Sequence, residues 1–186
     1  EWMIRGIRMS GKKLIFCAYA ENSKMESGAN IGHVSNRTDI YWKNSVVALY
    51  SAKKQHSECD VALVTNTDVP EQYKNLFIDA GIKIFREPFD EFVFGENIVW
   101  GLAFYKLCAM KKMLEKNYSY YLMMDTDVYV QSRFDDLFTE MEYNIMLHDR
   151  HPRLSNKIEI ANNLECERYT KSKRPITKWG GGDFGR

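Results

Sequence analysis

The chain has almost no excess of charge, no closely spaced cysteines and no long apolar run. Lysine and arginine total 26 against 25 aspartates and glutamates, a formal charge of +1. Nucleic acids and acidic membrane surfaces recruit proteins through net or clustered positive charge, so neither partner is expected. The cysteines at 17, 59, 108 and 166 are too scattered for a short-spaced metal knuckle. Cys17 falls in an apolar strand pattern and Cys108 in an apolar helix pattern, where a thiol serves as a small core residue. Reduced cysteines, and with them a reducing, cytoplasmic compartment, are the expectation. No apolar stretch reaches the ~20 residues that cross a bilayer. Behind Arg5 and Arg8 there is no apolar segment of the kind a signal peptide requires. Neither membrane insertion nor secretion is expected. Internal repeats and interdomain linkers are also missing.

What remains is a folded chain of 186 residues, 45% apolar and 13% aromatic. That is enough for one domain with a full core. Lys13–Ala20 is a continuous apolar run whose length suits a buried, parallel strand. Glu21–Asp39 is rich in Ser, Asn and Gly, shows no period and reads as a long loop, a kind of segment usually functional or mobile. Helical spacing follows from Tyr41 to His56, through Tyr41, Ser45, Ala48 and Ala52, with Asp39 as the expected cap. Asp60–Asn66 is a second strand. Pro70 and Gly81 bracket a helix, and Ile82–Phe85 is a third strand. After a loop containing Pro88, a long helix is expected from Asn97 to Lys116, with its stripe on Ile98, Leu102, Tyr105, Ala109 and Met113. Trp100 reads as core, and Lys111, Lys112 and Lys116 as a solvated face. Strand Tyr120–Met124 follows, then a short strand Val128–Val130, a helix Phe134–Met141, a strand Tyr143–His148 and a helical stretch near Leu164–Tyr169.

Strands alternating with helices imply an α/β fold: a mostly parallel, Rossmann-like central sheet with helices on both faces. Ligands of such sheets bind beyond the carboxyl ends of the strands. At one such end the apolar run Tyr120–Met124 stops in Asp125-Thr126-Asp127. Two carboxylates one residue apart at a sheet rim offer hard oxygen ligands to Mn²⁺ or Mg²⁺, and leave positions for phosphate oxygens. On a continuing strand the two would point to opposite faces, so a turn must follow if both are to reach one ion. Solvated turn residues are the plain alternative. Aspartate-nucleophile phosphatases of the haloacid-dehalogenase type also carry Asp-x-Asp after an apolar strand. Theirs lies near the chain start and is followed by Gly, then Thr or Val; here Val128 and Tyr129 follow.

The residues around this pair resemble the GT-A class of nucleotide-sugar glycosyltransferases. Phe104-Tyr105-Lys106-Leu107-Cys108 is similar to the Thr-Lys-Leu helix of glycogenin-like enzymes, and Phe134-Asp135-Asp136-Leu137-Phe138 to their Ile-Asp-Asp-Leu-Phe. Gly180-Gly181-Gly182-Asp183-Phe184-Gly185 resembles the Gly-rich stretch that lines the sugar pocket in retaining transferases of the blood-group A/B type. His148 or His151 resembles the His of their acceptor-contacting His-Pro. The resemblance implies a single GT-A domain, or a module excised from a longer chain, moving a sugar from a UDP-sugar to a carbohydrate or other hydroxyl acceptor. It implies retention of configuration.

On this reading Asp125 and Asp127 hold the metal, and Thr126, Gly181 and Gly182 contact the donor. Lys106 neutralises its phosphates, the alternative being a lysine that snorkels to water. Asp183 contacts the sugar or acts as base or nucleophile. Ala18 offers its backbone to the base. Tyr19 either stacks on the base or is a core tyrosine. Asn22, Thr65 and Asn66 are polar groups at the rim, and Arg37 a polar-loop cation within reach of a diphosphate. In blood-group-type enzymes a candidate nucleophile lies beyond the position matching Arg186, so either a longer chain supplies it or Asp183 or another residue does that work. Two other classes stay open. A sugar-phosphate nucleotidyltransferase would have a Gly-rich basic loop after the first strand, where Ala18–Asn22 stands instead. A non-catalytic nucleotide-sugar-binding module would keep the Asp pair and turn nothing over.

Overall fold

The computed structural model describes residues 11–22, 37–93 and 101–141. Among them are four strands, β1 (Lys13–Tyr19), β2 (Asp60–Thr65), β3 (Lys83–Arg86) and β4 (Tyr120–Met124). The α-helices are α1 (Arg37–Gln55), α2 (Glu71–Asp79), α3 (Tyr105–Leu114) and α4 (Asp135–Glu140). The chain separates into two compact units, Glu1–Asp135 and Asp136–Arg186. The sheet belongs to the first.

All four strands run parallel, in the order β3-β2-β1-β4. The expected α/β architecture is present. β1 has a strand on each side and is buried from Leu14 to Tyr19, which explains why it reads as an unbroken apolar run rather than an alternating one. Its successive side chains serve opposite faces. Leu14, Phe16, Ala18 and Ala20 pack with Ala62 and Val64 of β2 and with Tyr105, Cys108, Ala109 and Met113 of α3. Tyr19 points the other way and meets Trp42 of α1 with ring centroids 4.5 Å apart. Helices therefore cover both faces of β1.

β1 is entered through Gly11. A Cβ there would lie 2.4 Å from the Cβ of Ser119, closer than any side chain allows. The Ser119 N–H donates to the Lys12 carbonyl at 2.8 Å, so the starts of β1 and β4 are drawn together at a point that only glycine tolerates.

Several elements differ from the sequence reading. α1 starts at Arg37, which puts Asp39 inside its first turn instead of at the cap. There Asp39 pairs with Lys43 at 2.6 Å and accepts the Tyr73 hydroxyl of α2. A 3-10 turn, Gly101–Phe104, precedes α3, so the long apolar stripe is carried by two helix types; its start at 97–100 lies outside the described residues. Val128–Val130 is no strand. Val128 and Tyr129 are exposed, and the Val130 N–H bonds to the Ser51 hydroxyl of α1 at 3.0 Å instead of joining a ladder.

The lysines on α3 and just beyond its end are not merely solvated. Lys111 pairs with Glu91 at 2.7 Å, Lys112 with Asp90 at 3.3 Å and Lys116 with Glu87 at 2.8 Å. The Tyr105 hydroxyl donates to the Glu87 carbonyl and the Cys108 thiol to that of Pro88. Together these stitch the β3–α3 connection along the helix. The three cysteines in the described residues are free and buried. Among the described residues no helix is long and apolar enough to cross a membrane.

Candidate functional site

In sequence order the sheet grows outward from β1 through β2 to β3, and then returns to add β4 on the far side of β1. The direction of winding reverses between β1 and β4. The carboxyl ends of these two strands bound the crevice where open α/β sheets take ligands.

β4 ends with Met124 level with Cys17. The chain then turns: the Val128 N–H reaches back to the Asp125 carbonyl at 3.4 Å, and Thr126, between the two aspartates, is buried. The turn breaks the alternation that would send the carboxylates to opposite faces. Both are felt by the thiol of Cys17, which lies beneath and donates to the Asp125 carbonyl at 3.5 Å. Burial, reinforced by the Asp125 carboxylate, pushes the Cys17 thiol far above its ordinary value; Lys106 opposes the shift and Asp127 adds to it. Cys17 is therefore a neutral support under the turn, not a nucleophile.

Lys106 reaches the pair from the first turn of α3, whose start lies at the carboxyl edge of the sheet. Its ammonium donates to Asp125 Oδ2 at 2.7 Å. Asp125 Oδ1 accepts the Thr126 N–H at 3.0 Å. Asp127 is exposed. Lys106 and Asp125, which the sequence placed 19 residues apart on α3 and after β4, thus meet at the reversal point.

The other side of the crevice is the end of β1. Asn66, just past β2, clamps the backbone of Glu21: its amide oxygen accepts the Glu21 N–H at 2.9 Å, and its amide nitrogen donates to the Glu21 carbonyl at 2.8 Å. The Glu21 carboxylate accepts the Tyr19 hydroxyl at 2.9 Å. Tyr19 itself is buried, its ring set among Tyr41 and Trp42. Thr65 is fully buried, and its carbonyl accepts the Glu87 N–H at 2.9 Å. Ala18, level with Val64, is also buried, and Asn22 is half-buried.

Sequence reasoning missed Glu21, the centre of this cluster, because its partners lie on another strand. His148, His151, Gly181, Gly182 and Asp183 fall outside the described residues, as do Trp100, the strand expected at 143–148 and the helical stretch at 164–169. The side chain of Arg37 does as well.

The donor chemistry suits a hard divalent cation. Asp125 and Asp127 supply carboxylate oxygens, and Asp125 already accepts a hydrogen bond from the Lys106 ammonium. Among the described residues no third carboxylate, imidazole or thiol joins them at ligand spacing, so phosphate and water oxygens would complete the shell.

A second grouping lies at the opposite, amino-terminal edge of the sheet. His56, Glu58 and Cys59 place ligand atoms within 4.8 Å of one another. Its hydrogen bonds point to a structural knot. His56 Nε2 accepts the Phe134 N–H at 3.2 Å, so the neutral ring carries its proton on Nδ1. A metal on Nδ1 would force that proton onto Nε2, against the Phe134 donor. Arg133 meanwhile holds Glu58 at 2.6 Å and Asp135 at 2.7 Å. Burial pushes the Cys59 thiol up to about 11.

This knot carries a pH signature. Burial lowers the His56 pKa from its ordinary value, against the pull of the Glu58 and Asp135 carboxylates. As pH falls below about 6.5, the unfolded chain takes up a proton that the folded chain refuses. The stability contributed by neutral His56 is present above that pH and is lost as pH falls towards the folded value. His56→Gln, which cannot titrate, should lose less stability than the wild type between about pH 8 and about pH 5.5, as read by urea denaturation. Parallel losses in the two proteins would refute the assignment.

Compared with known protein families and with curated proteins, the chain matches no family model and no curated sequence.

Proposed function

We propose that the chain is a metal-dependent glycosyltransferase of the GT-A type that moves a sugar from a UDP-sugar to a hydroxyl acceptor with retention of configuration. The observation that carries this reading is the meeting of Lys106 with Asp125 at the β1–β4 reversal, 2.7 Å apart, with Asp127 on the same turn. A carboxylate pair and an ammonium at one sheet rim are the parts a departing diphosphate needs. The parallel sheet and its winding are consistent with it.

Asp125 and Asp127 would hold Mn²⁺ or Mg²⁺, which when bound draws developing charge from the leaving group. Lys106 would contact the same diphosphate. The Asn66–Glu21 clamp fixes the chain leaving β1, where the base is expected beside Ala18 and Asn22, with Tyr19 buttressing from below. The family resemblance would assign Gly181, Gly182 and Asp183 to the sugar, and His148 or His151 to the acceptor.

Calorimetric titration of UDP with and without Mn²⁺ tests the central point. Binding should tighten at least about tenfold with metal, a gain of about 1.4 kcal/mol. Indifference to metal would end the reading. Donor hydrolysis over UDP-, GDP- and dTDP-sugars separates an enzyme from a binding module: release of UDP from a UDP-sugar supports turnover, and silence on every donor favours the module.

A further inference from the structure

We infer that Lys106 is a resident cation on Asp125, which a divalent metal must displace and which the donor diphosphate then receives, so that metal and nucleotide bind cooperatively. This rests on the diphosphate-sugar reading above and adds to it an order of events.

Both oxygens of Asp125 already have donors: Oδ1 takes the Thr126 N–H at 3.0 Å and Oδ2 the Lys106 ammonium at 2.7 Å. Among the described residues Asp125 is the one hydrogen-bonding partner of Lys106. The lysine side chain is only 22% exposed and that of Asp125 38%, so the pair is shielded more than an ordinary surface contact. A divalent ion coordinated by Asp125 would lie within ~4 Å of an ammonium left in place, and like charges at that distance repel. The lysine has a flexible four-carbon stem and can leave, but leaving strips it of its ion pair with Asp125.

Metal alone therefore binds against Lys106. With a diphosphate present the balance reverses, because the displaced ammonium gains new oxygens. Linkage makes the effect mutual: nucleotide must tighten metal binding by the same factor by which metal tightens nucleotide binding. A lysine serving only as a phosphate ligand would leave metal-only affinity untouched, and one serving only as a structural strut would, on removal, weaken both.

The test compares wild type with Lys106→Met and Lys106→Gln in two titrations. Mn²⁺ alone is followed by the electron paramagnetic resonance signal of the free ion, and UDP by calorimetry in saturating Mn²⁺. Both neutral variants should bind Mn²⁺ alone about tenfold more tightly, and UDP–Mn²⁺ about tenfold more weakly, since a charge-assisted hydrogen bond is lost or released in each case. Lys106→Arg, which keeps the charge, should bind Mn²⁺ alone as weakly as wild type. If the neutral variants bind Mn²⁺ alone no more tightly than wild type, while wild type still shows metal-enhanced UDP binding, this inference falls and the proposed function stands. If wild type binds neither Mn²⁺ nor UDP, both fall. Thermal melts of each variant identify any loss due to misfolding, and the Gln variant, which keeps a neutral polar side chain in place of the ammonium, decides the case if Met unfolds.

Discussion

Asp125→Asn should erase the effect of Mn²⁺ on UDP affinity and lower turnover of a UDP-sugar by about 10³-fold or more, equivalent to about 4 kcal/mol of transition-state stabilisation. The substitution changes charge and almost nothing else. Asparagine has the same shape, and its amide oxygen can still accept the Thr126 N–H that Asp125 accepts at 3.0 Å. Its amide nitrogen would face the Lys106 ammonium, two donors against each other, so that ion pair is lost. The pair is partly exposed, and its loss should cost no more than about 1 kcal/mol of stability. A large functional loss beside a small stability loss separates a metal ligand from a folding residue. Asp127→Asn, at an exposed turn position, should follow the same pattern. UDP titrations with and without Mn²⁺, set beside urea denaturation, read both quantities. Survival of metal-enhanced binding in Asp125→Asn would remove the carboxylate from the metal site.

Which parts of this arrangement can be read from the chain depends on how local their causes are. The strands β1 and β2 are legible because a buried parallel strand needs apolar residues along its length, and Leu14–Ala20 and Val61–Val64 supply them; Tyr120–Met124 carries a similar apolar run although β4 is only half-buried. The rim position of Asp125 follows from the abrupt end of such a run. What the sequence could not show is held by partners distant in the chain. Asn66 and Glu21 are 45 residues apart, and neither carries a local sign of the clamp they form. Lys111, Lys112 and Lys116 have the spacing of a solvated helix face, and only the folded connection lays Glu87, Asp90 and Glu91 across from them. The opposite signs of that acidic run and that basic face were a usable clue. Val128–Val130 has strand composition, yet its backbone is claimed by Ser51 and the turn at Asp125, so β-propensity loses to tertiary context. Lys106 was found through the motif around it; that it grips Asp125 is a fact of the crossover that brings α3 over β1 and β4.

The largest loss of stability should come from Trp42→Ala, at about 3–5 kcal/mol. Trp42 is 1% exposed and joins elements that would otherwise meet across a void. Its ring lies edge-on to Tyr19 at 4.5 Å and stacks on Tyr73 at 6.3 Å with planes 19° apart. Tyr19 comes from β1, Trp42 from α1 and Tyr73 from α2, so one indole ties the strand that bears the site to both helices on that face. Truncation removes the transfer energy of the ring, leaves a cavity, and forfeits about 0.5–1.5 kcal/mol for each favourable ring pair. Set against a total stability of about 5–15 kcal/mol, the loss should lower the melting temperature by about 10 °C. Trp42→Phe should recover most of it. Phenylalanine keeps an aromatic face for Tyr19, and it sheds the indole N–H, which finds no acceptor among the described residues and so contributes a desolvation cost in the native protein. Tyr73→Phe, which gives up the hydroxyl's bond to Asp39 and its contact with Gln72, should cost about 1 kcal/mol. Function should follow the same series. With Trp42 gone, Tyr19 loses its nearest ring neighbour and the Glu21 carboxylate a firmly anchored hydroxyl partner, so UDP affinity should fall in Trp42→Ala and recover in Trp42→Phe, while Mn²⁺ binding at Asp125, on the other side of the crevice, changes less. Denaturation midpoints for the three variants, with UDP titrations below their melting temperatures, measure this ordering. A Trp42→Ala protein within about 1 kcal/mol of wild type would contradict the burial that assigns it this role.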